Sequence, residues 1–240
     1  MDSFWIYIVT FFASLLTLLT GFGLGTILTP VFALFYDVKL AVLLVAIVHF
    51  LNNVLKFLLF RKDVDLSIIK RFGIISIAGA FIGSFLQISF QSEVVKIILG
   101  VVLIILGASE FAPQNWSVRL PQKVDTIGGF LSGLLGGFVG NQGAVRSAYL
   151  LNYNISKETF IATATVIALC IDSTRIPVYL ASNHDLKGQF QWKFLVVILL
   201  AFLGTMVGKK TLAKVSHTVF KKVVALFVTV MGVLFALEIL

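Results

Sequence analysis

The stretch GGFVGNQGAVRS, residues 136–147, breaks an apolar segment with four glycines, an Asn-Gln pair, an arginine and a serine. Within hydrocarbon, irregular backbone is tolerated only where protein buries it or where it lines a cavity, because each unsatisfied N–H or C=O group is costly. Glycine permits backbone turns that other residues resist. If the chain lies in a membrane, this stretch therefore predicts a broken helix that borders a protein-enclosed site.

The composition places the chain in a membrane. Of its 240 residues 59% are hydrophobic, 23 are phenylalanine and only 12% are charged, which is outside the range of soluble domains. A membrane span needs about 20 apolar residues, and runs of that length fall at 40–60, 72–90, 94–111, 159–181, 192–208 and 219–240. Residues 4–36 and 126–152 are also apolar, but glycine interrupts them. We expect an all-α polytopic protein whose surroundings are a lipid bilayer.

The net charge of +8 does not indicate nucleic acid. The basic residues cluster at the ends of the apolar segments, as they do in cytoplasmic loops of membrane proteins, and no aromatic residues alternate with them. The sequence also lacks a P-loop, an HExxH motif, a GxSxG motif and any cluster of residues with metal-ligand spacing. We therefore expect no nucleic-acid partner, no catalytic residues, no cofactor and no metal.

The chain repeats itself weakly, which is typical of many transporter folds. GAFIG at 79–83 matches GTMVG at 204–208 with an offset of 125, and Lys56 matches Arg175 with an offset of 119. The interpretation is a first membrane repeat at 1–109, a polar linker at 110–125 and a second membrane repeat at 126–240.

Charge distribution favours one of two topologies. Lys56, Arg146 and Arg175 lie within the segments and are left out of the count; if all eight apolar segments cross the membrane, 8 basic residues fall on each side. If the glycine-broken opening of each half is a re-entrant hairpin, the halves are inverted relative to each other and the basic residues divide 12 to 4. Cytoplasmic loops carry the excess of Lys and Arg. The inverted arrangement then predicts a cytoplasmic linker and two external termini, with eight plain crossings as the alternative.

The second break carries the groups of an anion site. A helix that restarts near Gly143 points free N–H groups and the positive end of its dipole into the break. Arginine adds a planar fork suited to the oxygens of carboxylate, sulfonate or sulfite. The predicted substrate-binding residues here are Asn141, Gln142, Gly143, Arg146 and Ser147.

The first break, TGFGLGTILTP at 20–30, offers hydroxyl groups in place of charge. Thr26 and Thr29 are the substrate-binding candidates of this half. The alternative is that the glycines of both breaks only bring helices close together, because several glycine pairs have GxxxG spacing. Such pairs could serve contacts within one chain or between chains, so a homo-oligomer is also open.

Polar residues also lie inside two of the long helices. His49, Asn52, Asn53 and Lys56 form one stripe at i, i+3, i+4 and i+7, and the matching helix carries Asp172 and Arg175. Ionisable groups at membrane depth are costly and are functional by default. Asn52, Asn53, Lys56 and Arg175 are therefore further substrate-binding candidates, and His49 and Asp172 are candidates for proton coupling. Alternatively, Asp172 and Arg175 neutralise each other, Lys56 extends to the membrane surface, and His49 is a structural interhelical residue.

These segments resemble the TauE/SafE sulfite exporter family. The likeness lies in TGFGLGTILTP, in HFLNNVLKFLLFRKDVD at 49–65, in GGFLSGLLGGFVGNQGAVRSAYLL at 128–151 and in SKETFIATATVIALCIDSTRIPVYL at 156–180. It covers nearly the whole chain. The resemblance implies a bacterial inner-membrane transporter with two related halves that exports small sulfur-containing anions such as sulfite and organosulfonates.

The leading hypothesis is a secondary transporter that binds a small anionic substrate between the two breaks and alternates access by movement of one half against the other. The alternatives are a passive anion channel, an importer of another small anion, an intramembrane enzyme, and an inert subunit of a larger complex.

Overall fold

A computed structural model describes residues 3–20, 23–109, 111, 124–150, 153–182, 192–211 and 217–239. This part of the chain is helical and contains no strand. In chain order the helices are α1 (Ser3–Thr20), α2 (Leu24–Ala33), α3 (Val38–Phe60), α4 (Leu66–Ile68), α5 (Ile74–Ser89), α6 (Ser92–Ser109), α7 (Asp125–Val139), α8 (Gly143–Leu150), α9 (Lys157–Ser182), α10 (Trp192–Thr211) and α11 (His217–Ala236).

Five stretches within the described residues are long and apolar enough to cross a membrane: Val38–Asp63, Leu66–Ser89, Ser92–Ser109, Lys157–Ser182 and Trp192–Lys210. They match five of the six long apolar runs, and α11 occupies the sixth. The glycine-broken segments form two pairs of shorter helices, α1 with α2 and α7 with α8. The prediction of an all-α polytopic membrane protein is confirmed. Most of the predicted linker 110–125 lies outside the described residues.

Short polar signals set several helix boundaries. The carboxylate of Asp65 accepts bonds from the backbone N–H groups of Ser67 and Ile68, at 2.8 and 3.2 Å, and from the Ser67 hydroxyl at 2.7 Å. The hydroxyl bond and these amide bonds hold the pKa of Asp65 below its usual range. At a C-terminal boundary, α7 is followed by Gly140, whose φ of +80° belongs to the left-handed region that favours glycine and ends the helix.

Glycines bring α5 and α7 into direct backbone contact. A Cβ atom on Gly79 would lie 2.2 Å from the carbonyl oxygen of Phe130, and one on Gly83 would lie 2.2 Å from that of Leu134. Any side chain at these positions would collide with the neighbouring helix. These glycines therefore serve helix packing, the alternative that the GxxxG spacing left open. Because residue numbers rise together along both helices, α5 and α7 run parallel.

The helices α1 and α10 are in backbone contact in the same way. A Cβ atom on Gly204 of α10 would lie 2.3 Å from the carbonyl oxygen of Phe11, and one on Gly208 would lie 2.5 Å from that of Leu15, so α1 and α10 also run parallel. The first helix of each half thus packs against the helix that follows the long central helix of the other half.

The central helices α3 and α9 run antiparallel. Val42 near the start of α3 clusters with Tyr179 near the end of α9, and Phe60 at the end of α3 clusters with Ile161. We call the two ends of the bundle the Lys39 end, where α3 begins, and the Asp65 end, where α3 has just finished.

The helices α7 and α8 form a hairpin that opens at the Asp65 end. Asp125, at the start of α7, receives a bond from Arg71 Nε at 3.2 Å and a second from the Tyr153 hydroxyl just beyond α8. The ring of Tyr149 covers Gly128. The chain therefore leaves the hairpin at the end where it entered. Partial burial and the bond to Asp125 raise the pKa of Tyr153 to about 12.

The helices α1 and α2 form the corresponding hairpin at the Lys39 end. Thr205 of α10 bonds Asn52, and Lys209 lies 5.1 Å from the ring centre of Phe60, so α10 runs in the direction of α3. Because α1 is parallel to α10, it starts at the Lys39 end. The chain returns there through α2, since α3 begins at Val38 directly afterwards.

Candidate functional site

The two helix breaks meet inside the bundle. A Cβ atom on Gly23 would lie 3.1 Å from Gly143 Cα, and one on Gly25 would lie 2.6 Å from the carbonyl oxygen of Gly140. The approach at Gly25 leaves no room for a side chain, and the approach at Gly23 is tighter than an ordinary van der Waals contact. The N-termini of α2 and α8 consequently converge, and both direct the positive ends of their dipoles toward the same region.

A cavity of about 40 Å³ lies beside this junction. A water molecule needs about 10–15 Å³ of such space, so the cavity is in the size class of a few waters or of a small oxyanion. Its walls come from five helices and one break: Thr17, Gly23, Leu24, His49, Asn53, Lys56, Arg146, Ser147, Phe160, Ile161, Ala164 and Thr165.

Among the described residues, two cations line the cavity and no carboxylate does. Lys56 is 7% exposed and Arg146 is 6% exposed. Arg146 Nη1 donates to Gln142 Oε1 at 3.3 Å, but its Nε atom has no partner. Within the described part of the chain, the Lys56 ammonium group has neither a hydrogen bond nor an ion pair. Since buried charge without a partner is costly, this arrangement favours an anion in the cavity.

A buried cluster adjoins the cavity and is centred on Asp172. The Oδ2 atom of Asp172 lies 2.6 Å from His49 Nδ1, and its Oδ1 atom lies 2.9 Å from Arg175 Nε and 3.2 Å from Gln142 Nε2. Asn53 Nδ2 contacts the His49 ring at 3.1 Å. Of these residues, only His49 and Asn53 also line the cavity.

Arg175 serves the cluster and the end of α7 rather than the cavity. Its Nη2 lies 2.8 Å from Asp172 Oδ1, and its Nη1 donates to the Gly136 carbonyl at 2.8 Å. The Tyr179 hydroxyl donates to the neighbouring carbonyl of Gly137. Both donors sit at the negative end of the α7 dipole, where cations and N–H or O–H groups are favourable. The neutralisation of Asp172 by Arg175, which the sequence left open, is present in the structure.

The predicted site residues divide into three groups. Asn53, Lys56, Arg146, Ser147 and His49 line the cavity. Three adjoin the cavity without lining it: Gln142 bridges Arg146 and Asp172, Asp172 is the centre of the buried cluster, and Gly143 begins α8 where the breaks touch. Five others do not line the cavity: Thr26, Thr29, Asn52, Asn141 and Arg175.

Four of these five residues keep buried polar atoms without a partner. Thr26 Oγ1, Thr29 Oγ1 and both polar side-chain atoms of Asn141 are of this kind. Asn52 faces α10, where its Oδ1 accepts from Thr205 at 2.8 Å, and its Nδ2 has no partner. Unpartnered polar atoms therefore lie at both breaks, at Thr26, Thr29 and Asn141, outside the wall of the cavity.

The wall contributed by α9 was missing from the predicted site. Phe160, Ile161, Ala164 and Thr165 close one side of the cavity. Thr165 is a buried polar residue of an apolar helix and gave a weak signal, whereas the apolar residues gave none.

On α3, Lys56 lies nearer the Asp65 end than His49 does, so the cavity lies on the Asp65 side of the Asp172 cluster.

Comparison with known families gives one match, to a family model described as "Sulfite exporter TauE/SafE", which covers residues 6–235. Comparison with curated proteins and with solved structures gives no match.

Proposed function

This chain belongs to the sulfite exporter TauE/SafE family, which implies membrane transport of sulfur anions such as sulfite, and we propose that it is a secondary transporter that binds one such anion, sulfite or an organosulfonate, in the cavity between its helix breaks. The observation that carries the proposal is the pair of cations, Lys56 and Arg146, in a cavity whose described lining residues include no carboxylate. The converging N-termini of α2 and α8 add N–H groups and positive potential on the same side.

The transport cycle that we propose uses the two hairpins as moving parts. They enter the bundle from opposite ends and meet at Gly23 and Gly143, so a movement of one half against the other would open the cavity first to one end and then to the other. We propose that the halves are inverted repeats, that the protein lies in a bacterial inner membrane and that it exports the anion. The cavity would then be loaded from the Asp65 end.

Sulfite binding and its loss in Arg146→Ala test the site. We expect sulfite to raise the thermal midpoint of the purified protein, because a ligand that binds only the folded state stabilises it by RT ln(1 + [L]/Kd). Arg146→Ala should weaken binding at least about 10-fold, since hydrogen bonds to charged groups contribute about 1.5–3 kcal/mol. Thermal unfolding over a sulfite concentration series measures both values.

Arg71→Ala provides the control for general loss of charge. Arg71 is a half-exposed arginine at the same end of the bundle and does not line the cavity. It should leave the sulfite Kd unchanged. If Arg146→Ala and wild type bind sulfite equally well, the cavity is not the anion site. If sulfite uptake into liposomes never saturates, the protein is a channel rather than a carrier.

Cysteine labelling tests the inverted topology. In a Cys170→Ala background, cysteines at Lys62 and Lys210 should react with a membrane-impermeant reagent from the cytoplasmic side, and a cysteine at Glu93 should react from the other side. All three positions are exposed. Eight plain crossings would place positions 62 and 210 on opposite sides, so labelling of these two from different sides would refute the inverted arrangement.

A further inference from the structure

The proposed anion site contains more positive charge than a monovalent anion would neutralise. Lys56 and Arg146 both line the cavity, and none of the other wall residues in the described part of the chain carries a carboxylate. The buried acid nearest to the site, Asp172, already has the guanidinium of Arg175 on one oxygen and the ring of His49 on the other. Arg175 balances its charge, so the Asp172–Arg175 pair adds no net negative charge to compensate the two cations of the cavity.

The two cations differ in what they can do for an anion. Arg146 has a planar fork, and its bond to Gln142 at 3.3 Å fixes the orientation of that fork. Lys56 is a compact charge on a flexible stem and has no partner among the described residues. Arg146 is thus suited to orient the oxygens of the anion, whereas Lys56 is suited to contribute charge.

The wall contributed by α9 limits which anions fit the cavity. Phe160, Ile161 and Ala164 present apolar surface to the cavity, which weakens the screening of charges inside it. The volume of about 40 Å³ corresponds to a few waters, which favours a small anion.

From these observations we propose that Lys56 makes the site selective for compact dianions over monoanions of the same shape. The inference rests on the proposed anion site. It narrows the substrate to small divalent sulfur oxyanions and assigns the charge discrimination to one side chain.

Sulfate and methanesulfonate are suitable probes because both are small tetrahedral sulfur oxyanions, and only sulfate has two charges. Their dissociation constants, with that of sulfite, are measured by thermal shift at one pH and one ionic strength. Wild type should bind sulfate at least about 10-fold more tightly than methanesulfonate, because one charge pair at close range and moderate dielectric accounts for at least that factor. Lys56→Gln should weaken the binding of both ions, but the loss should be at least about 10-fold greater for sulfate, because the Coulomb energy scales with the product of the charges, so the preference for sulfate should fall by about that factor.

Two further variants are controls for misfolding and for a general effect of charge. Lys56→Arg keeps the charge and should keep the preference for sulfate. Lys62→Gln removes an exposed charge at the same end and should leave both constants unchanged. If wild type binds both ions equally, or if Lys56→Gln retains the preference, the inference is wrong although the anion site stands. If no sulfur oxyanion binds to wild type, the proposed function fails first.

Discussion

The free energy of unfolding is expected to fall by about 3–5 kcal/mol in Asp172→Asn, because the change leaves a buried arginine without its counter-ion. Arg175 and Asp172 are both fully buried, and Arg175 Nη2 lies 2.8 Å from Asp172 Oδ1. Asparagine is nearly isosteric, so the loss arises from charge rather than from packing. His49 and Gln142 contact different oxygens of Asp172, and asparagine keeps only one acceptor oxygen, so the two contacts could not both persist as they are. Chemical unfolding in detergent, followed by helical circular dichroism, measures the loss.

Two control variants separate this explanation from a general intolerance of substitution. Asp172→Asn combined with Arg175→Gln removes both charges and should recover much of the stability, since an uncharged pair leaves no unmatched ion. Asp125→Asn disrupts the ion pair with Arg71, whose side chain is 39% exposed, and should cost less because solvent screens that pair. Equal losses in Asp172→Asn and Asp125→Asn would contradict the assignment of the Asp172 cluster as a buried ionic centre.

Helical periodicity explains how much of the site the sequence could predict on α3. At 3.6 residues per turn, Asn53 lies about 40° to one side of His49 and Lys56 about 20° to the other, whereas Asn52 lies about 60° from His49 on the side of Lys56. The first three face the cavity, and Asn52 faces Thr205 of α10. The stripe was therefore detectable, but its exact width depends on how the neighbouring helices are placed around it.

The internal repeat did not predict which helices pack against each other. The offset of 119 equates Asn53 with Asp172 and Lys56 with Arg175, but it contains no information on which residues meet across the bundle. In the structure, His49 contacts Asp172 because α3 and α9 are antiparallel, and Arg175 bonds its own neighbour three residues earlier. The apolar wall at Phe160 and Ile161 was invisible for a related reason, since apolar residues in a membrane helix carry no local sign of facing a cavity.

Glycine gave the strongest local signal, although the same residue has two roles here. At 79, 83, 133 and 137 it permits contact between the backbones of α5 and α7. At 140 it adopts the left-handed conformation that ends α7, and at 23 and 25 it lets the two breaks touch. The GxxxG spacing occurs in both roles, and only the polar residues beside Gly140 and Gly143 distinguished a break from a packing surface.

His49→Gln is expected to abolish the response of sulfite transport to a pH gradient while sulfite binding persists. His49 lines the cavity and also lies 2.6 Å from Asp172, so it is a titratable side chain that touches both parts of the site. Histidine ordinarily titrates near neutral pH. The charged groups around it are Asp172, Arg175 and Lys56, and a proton on the ring would link occupancy of the cavity to the state of the buried cluster.

Sulfite flux from proteoliposomes, with and without a pH gradient, measures this coupling. Wild type should respond to the gradient, and His49→Gln should lose at least about 10-fold of that response, a factor within the range of coupling between linked sites. Its sulfite Kd should change by less than about threefold, because Lys56 and Arg146 remain in place. Asn53→Ala removes a neighbour of the ring but keeps the titrating group, and it should retain the response. A full response in His49→Gln would remove His49 from proton transfer, and would leave its bond to Asp172 as a structural contact between α3 and α9.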